Sequence, residues 1–224
     1  MKKFNVIILI LLLGFLLPKI YAFALSVNDN NLAAQKIAAT IEKGANVLDL
    51  SEFKYLRSIP ESAYQIKDLK RLDISQTRIT DIDQLSSFTE LEHLNIRQTR
   101  VSDIASLTKL GKLFSLDIGA TRVFDLTPLG DVPSLNRLQM DRTFIQSLCP
   151  LSDAENLNWL NLYSSFSKDG SQDCFNELEK NIDEVGGGNS YRQNYIPGTT
   201  YLALIMLDRF FETFEWKNIY KASE

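Results

Sequence analysis

From residue 69 onward, apolar side chains recur in columns 22 residues apart. Leu69, Leu91, Leu113, Leu135 and Leu157 open successive stretches. The fourth place of each is Leu72, Leu94, Leu116, Leu138 and Leu160, and the sixth is Ile74, Ile96, Ile118, Met140 and Leu162. Further columns follow at the eleventh (Ile79, Val101, Val123, Ile145), fourteenth (Ile82, Ile104, Leu126, Leu148), seventeenth (Leu85, Leu107, Leu129, Leu151) and twentieth (Phe88, Leu110, Val132, Ala154) places. Seven columns in register over four full units identify a stacked repeat, because one unit alone cannot cover its own apolar side. A longer unit begins earlier at Leu48–Leu50, 24 residues before the next equivalent triplet, and a partial one opens at 157–162.

Places three to five alternate around a buried leucine and predict a short strand in each unit. Stacked in parallel at about 4.8 Å, six such strands give a gently concave sheet on the order of 25–30 Å long. The other apolar places turn inward from the return path. Two polar columns belong to the scaffold. Thr77, Thr99, Thr121 and Thr143 are expected to satisfy backbone groups at the turn with their hydroxyls. Asp81, Asp103 and Asp125 are expected to cap a short helical turn on the convex side.

With the LxxLxLxxN pattern met as LKRLDISQT at 69–77 and repeated three times more, the chain resembles the leucine-rich repeat family. The 22-residue length and the Thr-x-Ile-x-Asp-Ile stretch at 77–82 are most similar to its bacterial, exported, internalin-type class. The likeness covers about residues 45–165, with Thr where the family usually has Asn. It implies an α/β solenoid, a right-handed superhelix with a parallel concave sheet. Some repeat proteins delivered by pathogens add a ubiquitin-ligase domain with a catalytic cysteine. Here the tail is too short for one.

The ends complete the organisation. Residues 1–24 read as a signal peptide. Lys2 and Lys3 precede an apolar run of 14 residues (4–17), short of the roughly 20 that span a bilayer, and Ala22-Phe23-Ala24 offers a cleavage site after Ala24. An uncleaved N-terminal anchor is the alternative. Within 25–46, a capping helix is expected over Asn28–Lys43, with Ala34, Ile37, Ala38 and Ile41 on its inner face and Gly44 ending it. The repeats occupy 47–165 and a helical C-terminal cap 166–185, with Phe175, Leu178 and Ile182 at helical spacing. In an exported protein, Cys149 and Cys174 are expected to form a disulfide joining the last full unit to this cap, with two buried thiols as the alternative. A Gly-rich linker and an amphipathic helix carrying Leu207, Phe210, Phe211 and Phe214 fill 186–224. That helix either folds back onto the solenoid or meets a partner or membrane surface.

Composition narrows the chemistry. The 24 basic against 28 acidic residues give a net charge of −4, more acidic once the N-terminal Lys2, Lys3 and Lys19 are set aside, which excludes a phosphate-driven nucleic-acid binder. One histidine and two cysteines exclude a zinc site built from several of them, and no cofactor is implied. The concave face is left for recognition. Place three presents Arg71, His93, Ser115, Arg137 and Trp159, and place five presents Asp73, Asn95, Asp117, Gln139 and Asn161. Places seven and eight add Arg97, Gln98, Asp141, Arg142 and Tyr163.

Arg, Trp and Tyr dominate binding hot spots, so the expected contact surface centres on Arg137, Trp159, Arg142 and Tyr163, with Arg97 and His93 at its periphery. Catalysis by His93 with Ser115, or by Asp73 with Asp117, lacks an orienting acid, an oxyanion site or a deep cleft. A second column, Arg78, Arg100 and Arg122, either pairs with Asp81, Asp103 and Asp125 or forms an edge for anions and glycans. The expected function is therefore a monomeric, non-enzymatic module that recognises a protein partner. The alternative is an envelope or glycan-binding adhesion protein using the arginine edge or the C-terminal helix, its only expected membrane contact.

Overall fold

The computed structural model describes residues 2–168, 172–182 and 184–186. The expected linker and amphipathic helix therefore lie outside the described residues, apart from Gly186. Strands β1 (Val47–Asp49), β2 (Arg71–Asp73), β3 (His93–Asn95), β4 (Ser115–Asp117), β5 (Arg137–Gln139), β7 (Trp159–Asn161) and β9 (Glu184–Gly186) form one parallel sheet in that order. A separate parallel pair joins β6 (Phe144–Ile145) to β8 (Phe166–Ser167).

The register is that of the columns. Leu48, Leu72, Leu94, Leu116, Leu138 and Leu160 stand opposite one another in successive strands, and all are buried. The remaining apolar columns fill the same continuous core. Burying each such side chain contributes roughly 1.5–3 kcal/mol, which one isolated coil could not collect.

On the convex side, each coil returns through a single short helical turn. The 3-10 turns are Glu61–Gln65, Asp83–Ser87, Ala105–Lys109 and Cys149–Asp153, and α2 (Thr127–Gly130) takes the same place in its coil. Asp81, Asp103 and Asp125 each accept the amide of the residue two further on at 2.8 Å, one residue ahead of the N-cap positions Ile82, Ile104 and Leu126, so they lead into the turns rather than serving as the expected N-caps. The threonine hydroxyls donate to the carbonyl three residues back, from Thr77 to Ile74 at 2.7 Å, Thr99 to Ile96 at 2.6 Å and Thr121 to Ile118 at 2.7 Å.

Helix α1 runs unbroken over Lys2–Glu42, so it has no start at Asn28. The Asp and Asn run there does not cap it. Asp29 instead accepts the Tyr55 amide of the first coil at 2.6 Å. The helix is also turned relative to expectation: Ala33, Ile37 and Thr40 are buried, whereas Ala34, Ala38 and Ile41 are exposed. Thr40 tolerates burial because its hydroxyl donates within the helix to the Lys36 carbonyl at 2.9 Å. Gly44, at φ +59°, ends the helix. The Gly44 amide donates to Ile41 and the Ala45 amide to Thr40, a pairing that needs the left-handed residue glycine provides.

At the other end, α3 (Gln172–Asn181) buries Phe175 and Leu178 against the last coil, with Ile182 buried just beyond it. Cys149 and Cys174 form a disulfide, their Cα atoms 5.0 Å apart. Strand β9 was not expected. It sets Val185 opposite Leu160 and adds a seventh strand to the sheet.

Candidate functional site on the concave face

The third-place residues stand in one row across the sheet: Arg71, His93, Ser115, Arg137 and Trp159. At the C-terminal end of that row, the Arg137 guanidinium lies 4.5 Å from the centre of the Trp159 ring, and Arg137 is exposed. A cation held against an aromatic face keeps its outward donors available. Tyr163, two places beyond β7, is 58% exposed. Arg142 is exposed too. Its Nε donates to Asp141 at 3.2 Å, and its backbone sits at φ +55°.

The fifth-place row is not free, contrary to expectation. Asp73 accepts the Ser75 amide at 2.8 Å, Asn95 that of Arg97 at 3.0 Å, Asp117 that of Gly119 at 2.8 Å and Asn161 that of Tyr163 at 2.9 Å. Asp49 does the same for Ser51 at 2.9 Å in the first coil. This side chain therefore closes the turn that follows each strand, which a short Asp or Asn does well. Gln139, one methylene longer, donates instead to Asp141 at 3.2 Å.

Arg97, expected at the periphery of the contact surface, is engaged within the sheet. Its guanidinium forms a two-pronged ion pair with Asp141, two coils away in the same column, with Nη2 to Oδ2 at 2.7 Å. Nη1 also lies 3.6 Å from Asp117. The intervening residue of the column is Gly119, and a Cβ there would collide with the Arg97 guanidinium and come within 2.8 Å of Asp141 Oδ1. Glycine leaves open the path for an arginine to cross two strand spacings, about 9.6 Å. The ion pair holds the Asp141 carboxyl down at about 2. Burial pushes Asp117 the other way, above the ordinary carboxylate range.

The N-terminal part of the face forms a shallow depression of about 270 Å³, lined by Arg71, Asp73, His93, Asn95, Ser115, Asp117 and Gln139. His93 is half-buried and meets Phe114 edge-on, with ring centres 6.2 Å apart. Burial lowers its imidazole pKa, with Arg71 adding to the effect. Ser115 stands beside it in register, but no acid hydrogen-bonds the imidazole among the described residues. No group of three or more potential metal ligands occurs among them.

A family model described as Leucine Rich repeats (2 copies) matches residues 67–109. The same coil recurs on both sides of that stretch in one sheet. The fold is a leucine-rich repeat solenoid.

Solved structures agree. An internalin, InlF, of Listeria monocytogenes is 26% identical at a TM-score of 0.55, over 62% of this chain and 44% of that one. Internalin C2 of the same species is 27% identical at 0.51, over 61% and 65%. A leucine-rich repeat protein of Leptospira interrogans shares the fold at 14% identity and a TM-score of 0.51, over 64% and 40%. The chain thus spans less than two thirds of the length of each. No curated protein sequence matches it. Leucine-rich repeat domains of this kind typically serve as protein-interaction modules.

On the edge of the solenoid, Arg78 and Arg100 do not pair with Asp81 and Asp103, whose carboxylates are engaged by backbone amides. The Arg78 guanidinium lies 4.4 Å from the Tyr55 ring centre instead, and Arg100 is exposed. The signal for the Arg97 clamp was present in the sequence as two opposite charges flanking a glycine in one column.

Proposed function

We propose that the chain is an exported, monomeric, non-enzymatic recognition module that takes a protein partner on the C-terminal part of its concave face. Trp159, Tyr163, Arg137 and Arg142 are the central contact residues, and His93 lies at the far margin. One observation carries this choice of surface. The middle of the face spends its charges internally, whereas the Arg137–Trp159 stack and Tyr163 keep large aromatic area and guanidinium donors open. Such aromatic and arginine anchors carry most of the energy in protein interfaces.

Export is supported by the basic start, the short apolar run and Ala22-Phe23-Ala24, and by a disulfide, which persists in oxidising compartments. A mature N-terminus at Leu25 is the expected result of N-terminal sequencing. An intact Lys2 would point to the anchor alternative.

The binding test uses immobilised full-length protein and an extract of its native compartment. A partner retained by the wild type at high salt should be lost from the Trp159→Ala/Tyr163→Ala variant, because aromatic contacts are not screened. The same partner held equally by both would contradict the assignment.

A further inference from the structure

Resting on the concave-face reading above, we infer that the depression on that face is a lysine pocket: it takes one lysine side chain of the protein partner, with the ammonium held by Ser115, Asp117 and Gln139. The depression, about 270 Å³, exists because Ser115 is a small side chain in the third-place row, with His93 on one side and Arg137 on the other. Arg137 does not fill the gap. Its guanidinium lies against Trp159, the neighbour on its far side.

The groups that line it are rich in unengaged acceptors. Asp117 Oδ1 accepts the Gly119 amide at 2.8 Å and lies 3.6 Å from Arg97, whose guanidinium is bonded to Asp141. The other Asp117 oxygen has no hydrogen bond among the described residues. Gln139 donates its side-chain nitrogen to Asp141 at 3.2 Å and leaves its carbonyl oxygen open. The Ser115 hydroxyl has no partner among the described residues. Both oxygens of Asp73 are by contrast occupied, by the Ser75 amide and by the Asn95 side chain, each at 2.8 Å. Ser115 and Asp117 share one face of β4, two residues apart, and Gln139 stands opposite Asp117 on β5. The open acceptors therefore border the same depression.

Charge points the same way. Burial pushes the Asp117 carboxyl above its ordinary range, and Asp141 and Asp73 add to the effect, so a cation brought to it relieves a cost that Arg97 leaves standing. Arg71, on the rim, stands on β2, two strand spacings or about 9.6 Å from β4. Burial and Arg71 lower the His93 pKa, so the imidazole is mostly uncharged at neutral pH. Asp73 and Asp117 against Arg71 leave the depression negative. An ammonium donates three hydrogen bonds from one point, which suits three separate acceptors. Asp117 offers one open oxygen, not the pair that a guanidinium fork takes.

The test is an NMR titration of the full chain with Nα-acetyl-lysine methylamide, beside the arginine and norleucine analogues. The lysine probe should shift the Ser115, Asp117 and Gln139 resonances saturably, with a Kd on the order of millimolar. Arginine should bind more weakly, and norleucine, which lacks the ammonium, not at all. Asp117→Asn should weaken lysine binding at least about fivefold. That variant keeps the turn, because Asn95 and Asn161 accept the same amide in their own coils. Ser115→Leu fills the depression at a place that holds His93 and Trp159 in other coils, and should weaken binding as much while melting like the wild type. Trp159→Ala should leave lysine binding unchanged while partner capture is lost, so the pocket and the aromatic contact surface fail separately. Capture of that partner should also fall in Asp117→Asn. No saturable shift, norleucine bound as well as lysine, arginine bound more tightly, or lysine affinity or partner capture unchanged in Asp117→Asn would each overturn the pocket.

Discussion

The seventh-place column holds Arg97, Gly119 and Asp141 in the middle of the concave sheet and Tyr163 at its C-terminal end. Both regions share the same strands, the same buried leucines and the same turn. In the middle, a glycine lets one arginine reach over a coil, so the charges there satisfy each other and tie three coils together. At the end, Tyr163 meets no such partner among the described residues, Arg137 stacks on Trp159 and is exposed, and only Arg142 reaches back, through Nε, to Asp141. Repeated positions thus divide their labour by neighbour, not by place in the repeat. A charge on a concave face is available to a ligand only if its column does not already contain its complement within reach.

The largest expected effect that would break this contrast is on stability. Arg97→Ala leaves Asp117 without its cation and Asp141 with only the Arg142 contact at 3.2 Å, and should cost about 3 kcal/mol, measured by urea unfolding. Partner capture by the folded variant should persist, since the contact surface lies elsewhere. The mirror case is Trp159→Ala, expected to weaken partner binding by about 2 kcal/mol while changing stability by less than about 1 kcal/mol. A Trp159 variant that loses stability instead of binding would place the end of the sheet in the same class as its middle.

Acid sharpens the contrast further. The Asp141 carboxyl sits at about 2, below its ordinary value of 3.8, so its contribution is complete above about pH 4 and is lost as pH falls through about 2. That contribution is about 2 kcal/mol. Asp117, whose pKa is raised, works in the opposite direction and is relieved by protonation. The stability gap between wild type and Arg97→Ala, from melts at descending pH, should therefore narrow below pH 4.

A smaller effect, about 1–2 kcal/mol, is expected for Gly119→Ala, whose methyl group would push the Arg97 guanidinium off Asp141. The smallest is Ala120→Gly. Ala120 lies at φ +52° in the turn, and glycine there should stabilise by roughly 0.5 kcal/mol, the left-handed penalty offset by glycine's entropy.

The scaffold was legible because its determinants are periodic. From Leu72 to Leu160 each buried leucine of the sheet announces itself by its neighbours at 22 residues, and the Thr and Asp columns do the same; Leu48 stands 24 residues before Leu72. The capping helix was legible in existence but not in rotation, because Ala33 and Ala34 look alike until Asp29 fixes the helix to Tyr55. Strand β9 has only Glu184, Val185 and Gly186 to declare it, too short for an alternation to register. The concave face was legible as a set of residues but not as a set of available ones. Place five is chosen for its bond to a turn amide, and a side chain's partner two coils away is invisible to any reading confined to one unit. Gln76, Gln98, Ala120, Arg142 and Ser164 all take a left-handed conformation without being glycine, so the turn they share leaves no mark in the sequence.

The most direct measurement is a double-mutant cycle on urea unfolding with Arg97→Ala, Asp141→Ala and the pair. These residues are 44 positions apart and meet only if coils stack one above another in register with Gly119 between them. Such a clamp predicts a coupling energy above about 1 kcal/mol, with the double variant less destabilised than the two single losses together. Effects that simply add, to within about 0.5 kcal/mol, would contradict it and return Arg97 to the free surface.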